Sequence, residues 1–143
     1  MAATDSPFRV GDVCLEEMKA ACPELKVVVI DIHAEATSEK QATGWWFDGR
    51  ASLVIGTHTH VPTADARVLP KGTAYQGDAG MTGAYEGIIG FDPKNILERF
   101  RFQTPRGMET ATRDARLCGA LVDRDAAGGE GREIHPTDEQ LGS

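Results

Sequence analysis

Val27-Val28-Val29-Ile30 is the longest unbroken apolar run in the chain, and all four residues are β-branched. Such a run is far short of the ~20 residues of a membrane span. It suits a strand covered on both faces, expected over Lys26 to His33. A helix should start near Ser38, because Ser38 and Gln41 have the spacing of a capping box. It should carry Trp45, Trp46 and Phe47 and stop at Asp48-Gly49. Ser52 to Ile55 then reads as a second short buried strand, ended by Gly56. Strand, helix and strand within about thirty residues make a βαβ unit whose strands pair in parallel. The expected fold class is therefore α/β.

Before this unit, residues 1–9 read as an irregular lead. Asp12 can cap a helix to about Ala21, with Val10, Cys14 and Met18 at i, i+4, i+8 and Leu15 and Cys22 widening the stripe. Pro23 ends it. After the unit, Ala66–Leu69 and Thr73–Gln76 flank Pro70-Lys71-Gly72 and predict a hairpin. Residues 78–90 are glycine-rich and read as a loop. Asp92-Pro93 predicts a capped helix through Ile96, Leu97 and Phe100. Two weak strands are expected near Met108–Ala111 and Leu117–Val122.

The formal charge is −7, and residues 123–143 supply −4 of it with six acids against two arginines. Four glycines and few large apolar residues in that stretch predict an acidic, glycine-rich tail with at most one short strand near Ile134. Domain organisation is thus expected as 1–122 and a tail at 123–143. The acidic balance argues against general nucleic-acid binding, which needs a basic stripe. Residues 1–6 lack the basic and apolar regions of a secretory signal, so the cytoplasm is the expected compartment. Cys14, Cys22 and Cys118 are odd in number and widely spaced, which disfavours a disulfide framework or a zinc cluster. Cys14 and Cys22 are expected to be buried in the first helix.

Histidine placement is the informative chemistry. His33 closes the first strand, and His58 and His60 follow the second across Gly56-Thr57. Carboxyl ends of neighbouring parallel strands form the crevice where ligands bind. Three imidazoles converging there suit a transition metal. His135, in the acidic tail, reads as an ordinary polar residue. Among nearby acids, Asp31 would share the face of His33 as a ligand or as a partner orienting the ring. Glu35 and Glu39 bracket a helix start, where negative charge is favourable anyway. Asp65 reads as a turn residue, and Asp78 is near the site without a decided role. The glycines from Gly77 to Gly90 form no nucleotide loop, since neither GxxxxGK[ST] nor a helix-opening GxGxxG is present.

Three blocks carry a resemblance: Asp31-Ile32-His33-Ala34-Glu35-Ala36-Thr37-Ser38-Glu39-Lys40, Gly56-Thr57-His58-Thr59-His60-Val61-Pro62-Thr63-Ala64-Asp65, and Asp78-Ala79-Gly80-Met81-Thr82-Gly83. In order and spacing they closely resemble the YmdB-type branch of the calcineurin-like metallophosphoesterases. Leu69-Pro70-Lys71-Gly72-Thr73-Ala74-Tyr75 fits as well. The likeness runs from about Ser6 to Val122. It implies a layered α/β sandwich, here a βαβ unit followed by a β-rich portion. It also implies a dinuclear hydrolase of phosphodiesters such as 2′,3′-cyclic nucleotides, with iron or manganese as the metals. His33 and His58 match ligands of one metal and His60 a ligand of the other. Thr37, Ser38 and the Gly80–Gly83 loop, with Met81 and Thr82, are expected to line the cleft, and only the histidines match ligand positions one for one. Gly11-Asp12, which looks like the family's opening Gly-Asp, precedes a helix rather than following a strand, so Asp12 keeps its reading as a cap.

Family members are about twice as long, and their first half supplies an aspartate, a bridging glutamate, asparagines and a histidine acting as general acid. The likeness begins near the family's midpoint, so this chain is expected to correspond to the C-terminal half. Three neutral imidazoles cannot bridge two metals, which needs an anionic oxygen between the cations. The expectation is one weakly held metal, no catalytic residue in this chain, little activity alone, and an exposed apolar sheet face seeking a partner. That partner is a separate N-terminal half or a second copy. The alternative readings are a non-catalytic interaction domain with weak single-metal binding and, less favoured, a mononuclear zinc hydrolase.

Overall fold

In the computed structural model, which describes residues 5–126 and 131–141, helix α1 (Pro7–Ala21) leads into β1 (Val29–His33), α2 (Thr37–Trp46) and β2 (Leu53–Thr57). β1 and β2 pair in parallel, Val29 beside Leu53 and His33 beside Thr57. The βαβ unit is therefore present as read. β3 (Arg67–Val68) and β4 (Ala74–Gln76) form the expected antiparallel hairpin, with Gly72 at φ 93° in the turn. The first sheet has the order β1-β2-β4-β3. The chain continues through β5 (Gly83–Ala84), α3 (Pro93–Phe102), β6 (Ala115–Arg124) and β7 (Gly131–Gln140), and β5, β6 and β7 make an antiparallel second sheet. Asp92 caps α3 by accepting from the Lys94 amide, with Pro93 in the first turn.

The core lies on one face of the first sheet. Leu15, Val28, Phe47, Ala51, Val54, Leu69 and Tyr75 form it, with Ile30 and Ile32 packed against it. Parallel neighbours share a face, so Val29, Asp31 and His33 lie with Leu53, Ile55 and Thr57 on the other side. There β1 is exposed and β2 half-buried, whereas β4 is buried throughout and β7 touches both β3 and β4. The second layer thus covers the β4 side of this face and leaves the β1 side open.

Several expectations change. α1 starts at Pro7, not after Asp12, because proline presets the helical φ at the first position. Asp12 is inside the helix and accepts from Trp46 Nε1 (3.0 Å) and Arg50 (2.7 Å) instead of capping. Only Leu15 of α1 is buried, and Val10, Met18, Cys14 and Cys22 are exposed. The reason is a groove of about 390 Å³ between α1 and β1, lined by Val10, Cys14, Met18, Ile30 and Ile32. β1 begins at Val29 and is open on one side rather than covered on both. Ala36, not Ser38, precedes the first turn of α2, and no side chain caps it. Thr110 makes a single bridge to Phe91 in place of a strand at Met108–Ala111. The expected tail is replaced by the ten-residue β7, and the expected boundary at residue 122 falls inside β6. Pairing with β6 supplies the hydrogen bonds that composition alone cannot suggest. Residues 1–4, 127–130 and 142–143, parts of the expected lead and tail, lie outside the described residues.

Candidate metal centre

The candidate site forms at the carboxyl ends of β1 and β2. His33 is the last residue of β1, beside Thr57 in register, and His58 follows Thr57. His58 Nδ1 lies 3.0 Å from His33 Nε2, with the two rings edge to face at 83°. His33 Nδ1 is 3.1 Å from Thr57 Oγ1. The Thr57 hydroxyl donates to Asp31 Oδ1 at 2.8 Å, so it must accept from His33. That places the His33 proton on Nδ1 and leaves Nε2 bare. His58 Nε2 lies 2.9 Å from Glu35 Oε2, an ion pair when the ring is protonated. With His33 Nε2 bare, His58 Nδ1 is the donor across the 3.0 Å contact between the rings.

The acids take definite roles. Asp31 orients His33 through Thr57, and Glu35 orients His58, which are the partners a metal-binding imidazole needs. Asp65 accepts from the Gly77 amide at 2.9 Å. Asp78 is fully buried and paired with Lys40 at 2.7 Å. Burial pushes the Asp78 carboxyl up, but Lys40 and the amides of Thr59 and Gly80 outweigh it and hold the group below the usual carboxylate range. Gly56 permits the close approach of β2 and the segment after β4, since a Cβ there would lie 1.8 Å from the Gly77 carbonyl oxygen.

His60 is exposed and, among the described residues, makes no hydrogen bond or ring contact with the His33–His58 pair. Both His58 (φ 114°) and His60 (φ 65°) occupy left-handed backbone, which is costly for side chains with a Cβ and is often found at functional sites. The structure thus joins two of the three expected imidazoles. Among the described residues, no group of three or more His, Cys, Asp or Glu side chains is placed to hold a cation. Thr37 and Ser38 are exposed in the first turn of α2, four and five residues after His33. Met81 is fixed by Tyr85, whose hydroxyl donates to the Met81 carbonyl (3.2 Å) and lies 3.0 Å from Cys118 Sγ. Thr82 is exposed beside it. Burial, then Cys118, raises the Tyr85 phenol. Sequence reasoning passed over Lys40, because a lysine on a helix reads as solvated and is buried only when paired. It also left Thr57 without a role.

The fold is mixed α/β with two sheets, and solved structures share it. A Thermus thermophilus protein superposes with a TM-score of 0.84 at 44% identity, over 98% of this chain and 53% of that one. A structure titled a novel phosphatase from Mycoplasma pneumoniae superposes with a TM-score of 0.84 at 32% identity, over 96% of this chain and 48% of that one. Residues 1–137 match the YmdB-like protein family, and the chain belongs to it. A Bacillus subtilis (strain 168) relative, the 2′,3′-cyclic-nucleotide 2′-phosphodiesterase, is 50% identical over 121 residues, 85% of this chain and 45% of the relative. The chain spans about half the length of the curated relatives it matches. No described helix is long and apolar enough to cross a membrane.

Proposed function

We propose that this chain carries the histidine-bearing part of a metal-dependent phosphodiester hydrolase acting on 2′,3′-cyclic nucleotides or related small phosphodiesters. The observation that carries this reading is the pair of ring nitrogens, His33 Nε2 and His58 Nδ1, brought to 3.0 Å from each other. Imidazole nitrogens sit about 2.0–2.1 Å from a bound zinc-like ion, so one cation can span such a pair. His33 and His58 would hold one ion, iron or manganese by family resemblance, and His60 is proposed as a ligand of a second. Bound metal supplies a polarised phosphoryl oxygen and a water of lowered pKa. The chain's own residues do the rest: Asp31 and Thr57 fix the His33 ring, Glu35 fixes His58, and Thr37, Ser38, Met81 and Thr82 are proposed to line the cleft. The name of the Bacillus relative supports the substrate class.

Two imidazoles without a carboxylate give a weak site, because no anionic oxygen helps to hold the cation. The chain alone is therefore proposed to bind one ion weakly and to hydrolyse little, with no catalytic acid or base of its own. The anionic ligands would come from a second polypeptide, a separate N-terminal half or a second copy, resting on the open face of β1 and β2 beside His33. The cytoplasm, where nucleotides are abundant, is the proposed compartment. Calorimetric titration with Mn²⁺ and turnover of a 2′,3′-cyclic nucleotide test this. One weak site lost in His33→Ala and His58→Ala is expected. Two tight sites with vigorous hydrolysis by the chain alone would overturn the half-site reading. Absence of any binding would overturn the cation reading.

A further inference from the structure

The most deeply buried charges near the site belong to no expected ligand. Lys40 is 1% exposed and Asp78 0%, and their contact is 2.7 Å. Asp78 does more than neutralise a lysine. Its Oδ2 also accepts from the Thr59 amide at 2.9 Å, and its Oδ1 accepts from the Gly80 amide at 2.9 Å. Thr59 is the residue between His58 and His60, and Gly80 opens the segment that carries Met81 and Thr82. One buried carboxylate therefore holds both loops of the site.

We propose that Lys40 is a positioning residue: through Asp78 it pins the peptide between His58 and His60 and so sets where those rings stand toward a divalent cation. This rests on the cation reading above. Three features support it. The loop departs from ordinary backbone at both histidines, φ 114° and 65°, and an excursion of that kind persists only where surrounding contacts over-determine it. The contact that falls between the two strained residues is the Thr59 amide on Asp78. The Asp78 carboxylate is also engaged by Lys40 and two amides. It is thereby kept as an anchor rather than released as a ligand.

Lys40 is itself fixed from the site side. Its stem packs against Gly56 so closely that a Cβ there would meet Lys40 Cδ at 2.8 Å, and the Gly56 carbonyl accepts from the Ala79 amide at 2.8 Å. The lysine on α2, the end of β2 and the segment after β4 are thus one locked unit. Without the ammonium, a buried carboxylate would be left uncompensated, and such groups move or take up a proton. Either change alters the acceptor that Thr59 needs.

The test is Lys40→Gln in the full chain, with isotope-labelled histidine rings followed by NMR in the absence of metal and again during Mn²⁺ titration. With methyl signals of Leu15 and Val54 unmoved, the His58 and His60 ring signals should shift or broaden while His135 stays. Mn²⁺ affinity should fall by about tenfold or more, as for the loss of other groups that orient ligands. Unchanged His58 and His60 rings in a folded variant would overturn the proposal. Should the variant not fold, amide exchange in the unmodified chain decides. Thr59 and Gly80 should be protected like the amides of β2, and exchange as fast as that of Thr82 would overturn the clamp. If the unmodified chain binds no Mn²⁺, the cation reading fails, and the metal-free ring signals still judge the role of Lys40.

Discussion

Thr57→Val removes one oxygen from the site and leaves its shape. The Thr57 hydroxyl accepts from His33 Nδ1 at 3.1 Å and donates to Asp31 Oδ1 at 2.8 Å. Valine is similar in shape and β-branched, so β2 keeps its strand preference. The site loses a neutral hydrogen bond, worth about 0.5–1.5 kcal/mol, and one to a carboxylate, worth about 1.5–3 kcal/mol. Only the first acts directly on the ring. Asp31 and His33 are exposed, so water replaces part of what is lost. Partners that orient metal-binding histidines are worth roughly 10–100-fold in affinity, and here the lower end, about tenfold or 1.4 kcal/mol, is expected. The assay is Mn²⁺ titration alongside ¹⁵N NMR of the His33 ring. In the unmodified chain the ring proton should sit on Nδ1, and in Thr57→Val it should redistribute to Nε2. Thr57→Ser, which keeps the hydroxyl, should restore both readouts. Unchanged affinity with the proton still on Nδ1 would refute the reasoning.

Gly56→Ala should be badly tolerated, because its Cβ would lie 1.8 Å from a backbone oxygen that cannot swing away. A loss of about 1–3 kcal/mol or more is expected by thermal or urea melting, and an unshifted midpoint would show that the two segments separate freely. Asp78 is held below its unfolded value of about 3.9. Its contribution to stability is therefore fully present above that value and is lost as the pH falls through the folded one. Urea midpoints followed from neutral pH into acid should fall less steeply for Asp78→Asn than for the unmodified chain, and parallel curves would contradict the assignment. Val29 is 59% exposed on β1, at the end of the first sheet. Val29→Lys should suppress self-association in sedimentation velocity, and an unmodified chain that stays monomeric at high concentration would remove the premise.

The elements whose signal is local were legible. The β-branched run, the Pro70-Lys71-Gly72 turn and Asp92-Pro93 each specify backbone geometry within a few residues, and β1, the β3–β4 hairpin and α3 follow them. Placing His33 and His58 at adjacent strand ends needed only the parallel pairing. What failed depends on distant partners. β7 carries charges at four of its ten positions and becomes a strand because β6 pairs with it along nearly its whole length. Lys40 looks like a solvated helix residue until Asp78, 38 residues away, closes on it. Thr57 has no local signature at all, and its role appears only once Asp31 and His33 flank it from the neighbouring strand.

The exposure of Val29 bears on the proposal that a second polypeptide supplies anionic ligands to the site. Apolar residues at Val10, Met18 and Val29 fit patterns that normally mark a core, yet they are exposed. A patterned apolar surface left open is a surface meant for another layer. The open face of β1 and β2 ends at His33 and Thr57, so a layer laid on it would reach the His33–His58 pair beside Asp31. On that proposal, a further layer over β1 would account both for the exposure of Val29 and for a histidine pair without anionic ligands. Mixing this chain with a candidate partner separates the possibilities. Covering of Val29, read as slowed amide exchange along β1, should coincide with tighter Mn²⁺ binding. Tighter binding without protection of β1 would mean that the ligands arrive by another route.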